Sequence, residues 1–270
     1  DYLVQVRLSN DDLALDDVRQ AVIRVKDTVP VMLVNGKPAV ELYDTATEFL
    51  FDALKPFQKG LVPRDIPARP RILTETQFAD AGLGDVTGYD CVFICDVARL
   101  SQAEIRRLEG HVRGGGGVVF CLGPRVDQEA YNRLLHRDGK GLLPAKLLGR
   151  QRASAERAFT FFADEESFKL PPLDAFGAEI DRASLTAPRF QQYWRVEPAP
   201  QARKVLTFLP EARRPGMPAD ELPVHEPALI EWHPPLLPAA EGEEARPDAK
   251  PMLRAARGRV FVLTTTANMD

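Results

Sequence analysis

Apolar side chains recur at every second position in residues 2–8 and again in residues 21–25. This period is typical of strands that bury one face, and the two runs predict a β-hairpin within residues 1–28. An isolated hairpin is only marginally stable in water. We therefore expect it to be either the remnant of a truncated β-sandwich or a unit that docks on the residues after it.

From residue 29 onward, short apolar runs alternate with segments of helical spacing. The runs that predict strands are residues 29–34, 71–74, 89–95 and 118–122. Such alternation is typical of βαβ units and a parallel sheet. We predict an open, mostly parallel α/β sheet of the flavodoxin-like or amidotransferase-like type with helices on both faces. Residues 29–34, 89–95 and 118–122 should be neighbouring parallel strands.

Three predicted helices each begin at a residue that caps helices well. The first follows Asp44, the second follows Ser101, which forms a capping box with Glu104, and the third follows Asp127. The side chains expected to face the sheet are Ala46, Phe49, Leu50, Ala53 and Leu54 in the first helix, Ile105, Leu108 and Val112 in the second, and Ala130, Tyr131, Leu134 and Leu135 in the third.

The second half of the chain gives a weaker pattern. Strand-like runs occur at residues 159–162, 204–209 and 260–266, and helical spacing is scarce. Twelve of the 23 prolines lie between residues 198 and 251, and Glu241, Glu243 and Glu244 form an acidic run. Because such composition buries little surface, we predict an exposed, mobile insertion at about residues 232–256, inside one α/β domain of residues 29–270.

Composition and charge exclude several classes of protein. Hydrophobic residues make up 44% and charged residues 27% of the chain, which is ordinary globular usage. Lys and Arg number 35 against 39 Asp and Glu, so no broad positive field exists for a phosphate backbone and nucleic acid is not an expected partner. No apolar run reaches the roughly 20 residues of a membrane helix.

Cys121 is the sharpest candidate for chemistry. It lies near the end of a predicted strand, where a strand-to-helix elbow can expose a nucleophile. The alternative interpretation is a small apolar residue that finishes a core strand, and the bulky Phe120 beside it favours that reading. Cys91 and Cys95 are about 13 Å apart along one strand, too far for a disulfide, whereas Cys121 could neighbour either of them.

Neither the glycines nor the histidines indicate a cofactor or a metal. Residues 114–117 are four glycines that follow a helix and open a strand, whereas phosphate loops follow a strand and open a helix. A left-handed helix cap is therefore predicted here. No pair with the helical spacing of zinc sites occurs among the histidines, which are His111, His136, His225 and His233.

The polar residues that follow predicted strands form the candidate binding site. Ligands of open α/β sheets bind beyond the carboxyl ends of the strands. By this rule the crevice is lined by Asn35, Asp96, Gly123, Pro124 and Arg125. A surface salt bridge between Asp96 and Arg125 is the simpler role for those two residues.

Several short motifs resemble one known domain family. They are residues 31–36 (VMLVNG), the strand at 90–96, and residues 108–116 (LEGHVRGGG), 132–135 (NRLL), 227–231 (PALIE) and 258–266 (GRVFVLTTT). In this order they resemble the class I glutamine amidotransferase-like domain of bacterial BatA-type membrane proteins. The resemblance spans roughly residues 29–270.

This resemblance implies a parent chain with membrane helices outside the soluble region and a β-sandwich before the domain, so we expect the sequence to be a fragment. Catalytic amidotransferases use a Gly-x-Cys-x-Gly elbow with a downstream His and Glu. Here Cys121 and Gly123 match, Val119 replaces the first glycine, and His225 and Glu226 are adjacent rather than spaced. The resemblance therefore implies fold and membrane association and argues against glutamine hydrolysis.

Two functional hypotheses follow. The first is a non-catalytic binding or interaction domain of a membrane-anchored bacterial envelope protein, with a protein or small-molecule partner and no cofactor. The second is a cysteine-dependent amidohydrolase or amidotransferase that uses Cys121. Thiol reactivity distinguishes them, because an activated cysteine has a depressed pKa and a core cysteine does not.

Overall fold

Twelve strands and five α-helices make up the part of the chain that the computed structural model describes, which is residues 2–7, 18–23, 25–41, 43–56, 66–153, 158–209, 225–233 and 258–267. In chain order they are β1 (Tyr2–Arg7), β2 (Val18–Ile23), β3 (Val29–Asn35), α1 (Glu48–Leu54), β4 (Ala68–Thr74), α2 (Glu75–Ala79), β5 (Cys91–Cys95), α3 (Gln102–Arg113), β6 (Gly117–Cys121), α4 (Gln128–Ala130), β7 (Ala145–Arg152), β8 (Phe161–Phe162), α5 (Glu179–Thr186), β9 (Gln192–Pro198), β10 (Arg203–Phe208), β11 (Pro227–Trp232) and β12 (Arg259–Leu263). A π-helical stretch, Tyr131–His136, continues α4.

An eight-stranded sheet forms the centre of the fold, in the order β4-β3-β5-β6-β12-β11-β10-β8. Strands β4, β3, β5, β6 and β12 are parallel to their neighbours in this series, whereas β11, β10 and β8 continue the sheet in antiparallel fashion. The prediction that residues 29–34, 89–95 and 118–122 form neighbouring parallel strands is confirmed. The protein is therefore an α/β protein with a mostly parallel sheet.

One face of the parallel strands forms the main core. Val92 and Ile94 of β5 point to the same side as Val118 and Phe120 of β6, and all four are almost completely buried. Helix α3 covers this side with Ile105, Leu108 and Val112. On the opposite side, Cys91, Phe93 and Val119 are only half-buried against described residues. The four side chains of β5 and β6 that face α3 are buried together because side chains alternate strictly between the two faces along each strand.

The local capping signals around α3 are confirmed in detail. The Ser101 hydroxyl accepts the Glu104 N–H at 3.3 Å, and the Glu104 carboxylate accepts the Ser101 N–H at 2.6 Å. At the other end, Gly115 adopts a φ of +100°. The N–H of Gly115 bonds Val112 O at 3.1 Å and that of Gly116 bonds His111 O at 2.9 Å, which is a Schellman cap. The glycine run therefore ends a helix, as predicted.

The first predicted helix was placed too early. Helix α1 begins at Glu48 with Thr47 at its N-cap, so Asp44 does not start it. The physical reason is that residues 45–47 form a buried bend before the helix, in which Ala46 packs against Cys95 and Cys121. Ala53, expected on the buried face, is exposed. The third predicted start is confirmed, because Asp127 Oδ1 accepts the Ala130 N–H at 2.9 Å.

Only the first two residues of the insertion predicted at about 232–256 are among the described residues. Trp232 ends strand β11 and is only 4% exposed, because its indole packs into the main core. Residues 234–257 lie outside the described residues. Strand β11 itself was not identified as a strand from the hydrophobic pattern, although it pairs with both β10 and β12.

The N-terminal hairpin pairs as the alternation predicts, with Tyr2 opposite Ile23 and Arg7 opposite Val18. Most of its described side chains, however, are exposed. Tyr2 is 65% exposed and Val22 is 69% exposed, and every residue of β1 is exposed. Docking on the following residues is therefore not observed within the described part of the chain.

A second, two-stranded sheet of β7 and β9 lies beside the central one. The side chain of Asn132 holds it by bonding both backbone groups of Leu147, accepting the Leu147 N–H at 2.8 Å and donating to Leu147 O at 2.9 Å. Aromatic residues form a separate core beyond it, made of Phe159, Phe161, Phe190, Tyr193 and Phe208. Within the described segments, no helix is long and apolar enough to cross a membrane.

Candidate functional site

Asp96 is the residue around which the carboxyl edge of the parallel strands is built. It follows β5 directly and is 1% exposed. Its Oδ1 accepts the backbone N–H of Arg125 at 2.8 Å, and its own N–H donates to Cys121 O at 2.9 Å. A Cβ added to Gly123 would lie 2.2 Å from Asp96 Cγ. The glycine is therefore required for the loop after β6 to reach this carboxylate.

The backbone at Asp96 adopts a left-handed conformation, with a φ of +50°. Aspartate tolerates this region better than most residues because its short polar side chain bonds locally. Asn35 ends β3 on the neighbouring strand, and its side-chain oxygen accepts the N–H of Lys37 at 3.0 Å. A Cβ on Gly36 would lie 2.1 Å from Asp96 O. The structure thus brings Asn35, Asp96, Gly123 and Arg125 together at one edge, as the sequence predicts.

The side chain of Arg125 does not pair with Asp96. Its guanidinium contacts both carboxylate oxygens of Glu75, at 3.3 Å and 3.4 Å, while the Arg125 backbone N–H donates to Asp96 Oδ1. Glu75 Oε1 also accepts the Ala98 N–H at 3.0 Å. Glu75 was missed from the sequence, where its only local signal was the capping box that Thr74 and Gln77 form at the start of α2.

At the end of β6, two side chains from the second sheet contact the crevice that the sequence predicts. The indole Nε1 of Trp194 donates to Gly123 O at 3.0 Å, and Arg150 donates to Pro124 O at 3.1 Å while its guanidinium lies over the Trp194 ring. Gly123 and Pro124 therefore hold the second sheet instead of lining an open cleft. The partly exposed polar groups of the edge are those of Glu75 and Arg125.

Buried threonines extend the polar edge beyond β12. Thr264 and Thr265 donate their hydroxyls to Pro227 O and Gln192 O, each at 2.9 Å. The hydroxyls of Thr47 and Thr266 are equally buried, yet no described residue bonds them. A buried hydroxyl without a partner costs about 1–3 kcal/mol, so these two positions lower the stability of this edge.

Cys121 lies in a small apolar cluster with Ala46 and Cys95. It stands opposite Cys95 in the parallel register of β5 and β6, and the Cys95 thiol donates to it. This hydrogen bond, together with burial, raises the pKa of Cys95 well above its usual value. All three cysteines are free.

No described histidine lies beside Cys121. The ring of His136 bonds Leu143 O at 3.1 Å, that of His225 lies 3.4 Å from the Thr207 hydroxyl, and that of His233 lies 3.6 Å from Glu231. His111 packs against Gly116 at the amino ends of the strands. The described residues also include no group of three or more His, Cys, Asp or Glu side chains placed to hold a metal ion.

Comparison with solved structures identifies proteins of similar fold. The cytoplasmic protein STM3548 of Salmonella typhimurium shares 13% identity at a TM-score of 0.53, over 90% of this chain and 89% of that one. The cytoplasmic protein STM1381 of Salmonella typhimurium LT2 shares 11% identity at a TM-score of 0.51, over 90% of each chain. At this identity the likeness concerns the fold alone. No protein-family model and no curated protein sequence matches the chain.

Proposed function

We propose that the chain is a non-catalytic binding domain that holds a polar ligand or partner segment at the carboxyl edge of its sheet. The observation that carries this proposal is the position of Cys121. Its side chain is 3% exposed, accepts a hydrogen bond from Cys95 and lies in the cluster with Ala46. A nucleophilic cysteine needs an adjacent base and an accessible thiolate, and the described surroundings of Cys121 offer neither.

The ligand site of this proposal is the edge formed by Asn35, Asp96, Glu75 and Arg125. Asp96 accepts the backbone N–H of Arg125 and donates its own N–H to Cys121 O, and these two hydrogen bonds fix the shape of the edge. The ion pair of Glu75 and Arg125 is about one-third exposed on each side chain and can open toward an incoming group. An exposed pair of this kind contributes little to stability, so exchanging it for contacts with a ligand costs little.

We also propose that the fold is flavodoxin-like. A flavodoxin-like arrangement requires helices on both faces of the sheet. Leu50 of α1 packs near Cys121, whereas Leu108 of α3 packs near Phe120. Because Phe120 and Cys121 are consecutive in β6, their side chains point to opposite faces, which supports one helix on each side.

Association with a bacterial cell envelope through membrane segments outside this sequence is also proposed. It rests on the resemblance to the amidotransferase-like domain of BatA-type membrane proteins. Fractionation of cells that express the full-length protein tests it directly. Recovery of the protein in the membrane fraction after a high-salt wash is the expected outcome, and recovery in the soluble fraction would contradict it.

A fragment screen followed by amide chemical-shift mapping tests the binding site. Ligands of the proposed site should perturb the amides of residues 35–37, 75, 96–98, 123, 125 and 126. Arg125→Gln should weaken them by about tenfold or more, because it removes a charge that a polar ligand would contact. Arg99→Gln is the matched control, since Arg99 forms a comparable exposed pair with Asp127. Equal weakening by both variants would count against the site.

A further inference from the structure

A second cavity lies at the opposite edge of the sheet, beyond the amino ends of β5 and β6. Its volume is about 610 Å³, and it lies between the loop of residues 85–90 and the last turns of α3. This volume falls in the range of small-molecule sites, roughly 300–1,000 Å³. The cavity shares no lining residue with the carboxyl-edge site, so its ligand is independent of the function proposed there.

Glycines form much of the cavity wall on the side of α3. Gly110 lies inside the helix, and Gly114, Gly115 and Gly116 follow at its end. Gly115 is required by its positive φ, and a Cβ on Gly116 would lie 2.2 Å from the His111 ring. Gly110 is different, because a Cβ there would meet no atom within 4 Å. Glycine inside a helix destabilises it relative to alanine, and the known benefit is that a ligand can approach the backbone closely.

Most of the charged groups in the lining already interact with one another. Lys26 forms an ion pair with Asp90, and the two side chains are 53% and 29% exposed. Asp85 accepts the N–H of Thr87 at 2.9 Å and also interacts electrostatically with Arg107. A charged ligand that used any of these groups would have to separate it from its present partner.

The charges of the lining nearly cancel. Its basic side chains are Lys26, Arg106 and Arg107, and its acidic ones are Asp85 and Asp90. The carboxyl end of α3 adds about half a negative charge. Burial lowers the pKa of His111, so its ring adds no positive charge at neutral pH. The N–H groups of residues 114–117 all donate within the protein, which leaves no backbone cradle for an anion. Arg106 is exposed, and one exposed ion pair with a ligand would contribute little affinity.

Hydroxyl groups suit such a lining better than charged groups do. A hydroxyl both donates and accepts hydrogen bonds, so it can donate to Asp90 and accept from Lys26 without separating the pair. A sugar carries several hydroxyls on a compact ring whose C–H groups can pack against glycine backbone. We propose that this cavity binds a neutral, polyhydroxylated small molecule of the monosaccharide class, with hydroxyls on Lys26 and Asp90 and its ring against Gly110.

Titration of the isotope-labelled chain with D-glucose, D-galactose and D-mannose, followed by amide chemical shifts, tests the site. At least one sugar should give saturable shifts at residues 85–90 and 106–116, with a dissociation constant on the order of 1–10 mM for a ligand of this size. Sodium acetate and methylammonium chloride, compared at constant ionic strength, should bind about tenfold more weakly or worse. Either ion binding as tightly as the best sugar, or no saturable shift with any sugar up to about 100 mM, would overturn the proposal.

Gly110→Ala separates binding from folding. The added methyl group contacts no atom of the protein and removes a glycine from a helix, so the variant should unfold at a higher temperature than the unsubstituted chain. It should nevertheless bind the sugar about tenfold more weakly or worse, because the methyl group takes the place of the sugar ring. Gly177→Ala is the matched control, since its added atom also meets nothing within 4 Å and it lies outside the cavity. Sugar binding that Gly110→Ala leaves unchanged would overturn the proposal.

Asp90→Asn tests the polar contacts of the sugar. The substitution keeps the shape of the side chain and replaces a charged acceptor with a neutral one, so sugar affinity should fall by about threefold to tenfold. Asp181→Asn, an exposed position on α5 outside the cavity, is the control and should leave the affinity unchanged. Equal affinities of the two variants would show that Asp90 does not contact the sugar.

Discussion

The thiols of Cys95 and Cys121 lie side by side on neighbouring parallel strands, joined by a hydrogen bond and enclosed with Ala46. This pair occupies the place where an amidotransferase-like domain would present a nucleophile. Two buried thiols that satisfy each other behave as small apolar residues. The carboxyl end of β6 is therefore better described as part of the core than as an exposed elbow.

Cys121→Ala should leave ligand binding unchanged and lower the free energy of unfolding by on the order of 1 kcal/mol, as small core truncations do. Neither Cys95 nor Cys121 should react with a thiol reagent until the protein unfolds, because both side chains are buried. Chemical denaturation and timed labelling measure these effects, with Cys91→Ala as the control. Rapid labelling of Cys121 in the native state, or a covalent acyl adduct on it, would restore the enzymatic hypothesis.

Stability should fall as the solution becomes alkaline. Burial raises the pKa of Cys91 to about 12, and the pKa of Cys95 is also raised, whereas an unfolded thiol titrates near 8.5. The unfolded chain therefore releases these protons first, so the stabilisation is complete below about pH 8 and is lost progressively toward pH 12. Urea unfolding at about pH 7 and about pH 10 measures the slope. A variant with alanine at both positions should show a smaller slope, and an unchanged one would contradict this origin.

Gly123→Ala should destabilise the protein by about 1–3 kcal/mol, the usual cost of overpacking. Its added methyl group would lie 2.2 Å from Asp96 Cγ and would push the carboxylate away from Arg125. Gly110→Ala is the opposite case, since nothing lies within 4 Å of the added atom and the residue is inside α3. That change should stabilise by about 0.5–1 kcal/mol. Thermal unfolding of the two variants should shift in opposite directions.

Ser101→Ala should cost about 1 kcal/mol, because the N–H of Glu104 loses its acceptor at the start of α3. Ser101→Asp keeps an acceptor and places a negative charge at the helix N-terminus, so it should retain stability. Equilibrium denaturation of both variants compares the two effects. Equal losses would show that the hydroxyl contributes through something other than capping.

Sequence reasoning succeeded where the determining contacts are local. The capping box of Ser101 and Glu104, the cap at Asp127 and the glycine turn after α3 each depend on residues within a few positions of one another. The parallel strands could be predicted equally well from the sequence, because their apolar runs are short and separated by helices. The start of α1 was missed, since the bend before it packs through Ala46 on Cys95 and Cys121, which are distant in sequence.

The candidate site was predicted only in part, because some of its contacts also join residues that are distant in sequence. The rule for parallel strands correctly grouped Asn35, Asp96 and Arg125 at one edge. The partner of Arg125 is 50 positions away at Glu75, and the cover over Gly123 comes from Trp194, 71 positions away. Contacts at such separations leave no trace in local periodicity. Strands β7 and β9 were missed because their pairing joins residues that lie from 53 (Ala145 and Pro198) to 40 (Arg152 and Gln192) positions apart.

The position of β12 constrains the order in which the fold can be completed during synthesis. Residues 259–263 form hydrogen bonds to β6 on one side and to β11 on the other, so the antiparallel strands cannot join the parallel ones until this late segment leaves the ribosome. The nascent chain carries two open sheet edges until then, at β6 and β11. Such edges are the usual starting points of aggregation. Yield of native protein should therefore depend on how quickly the segment that contains β12 is translated.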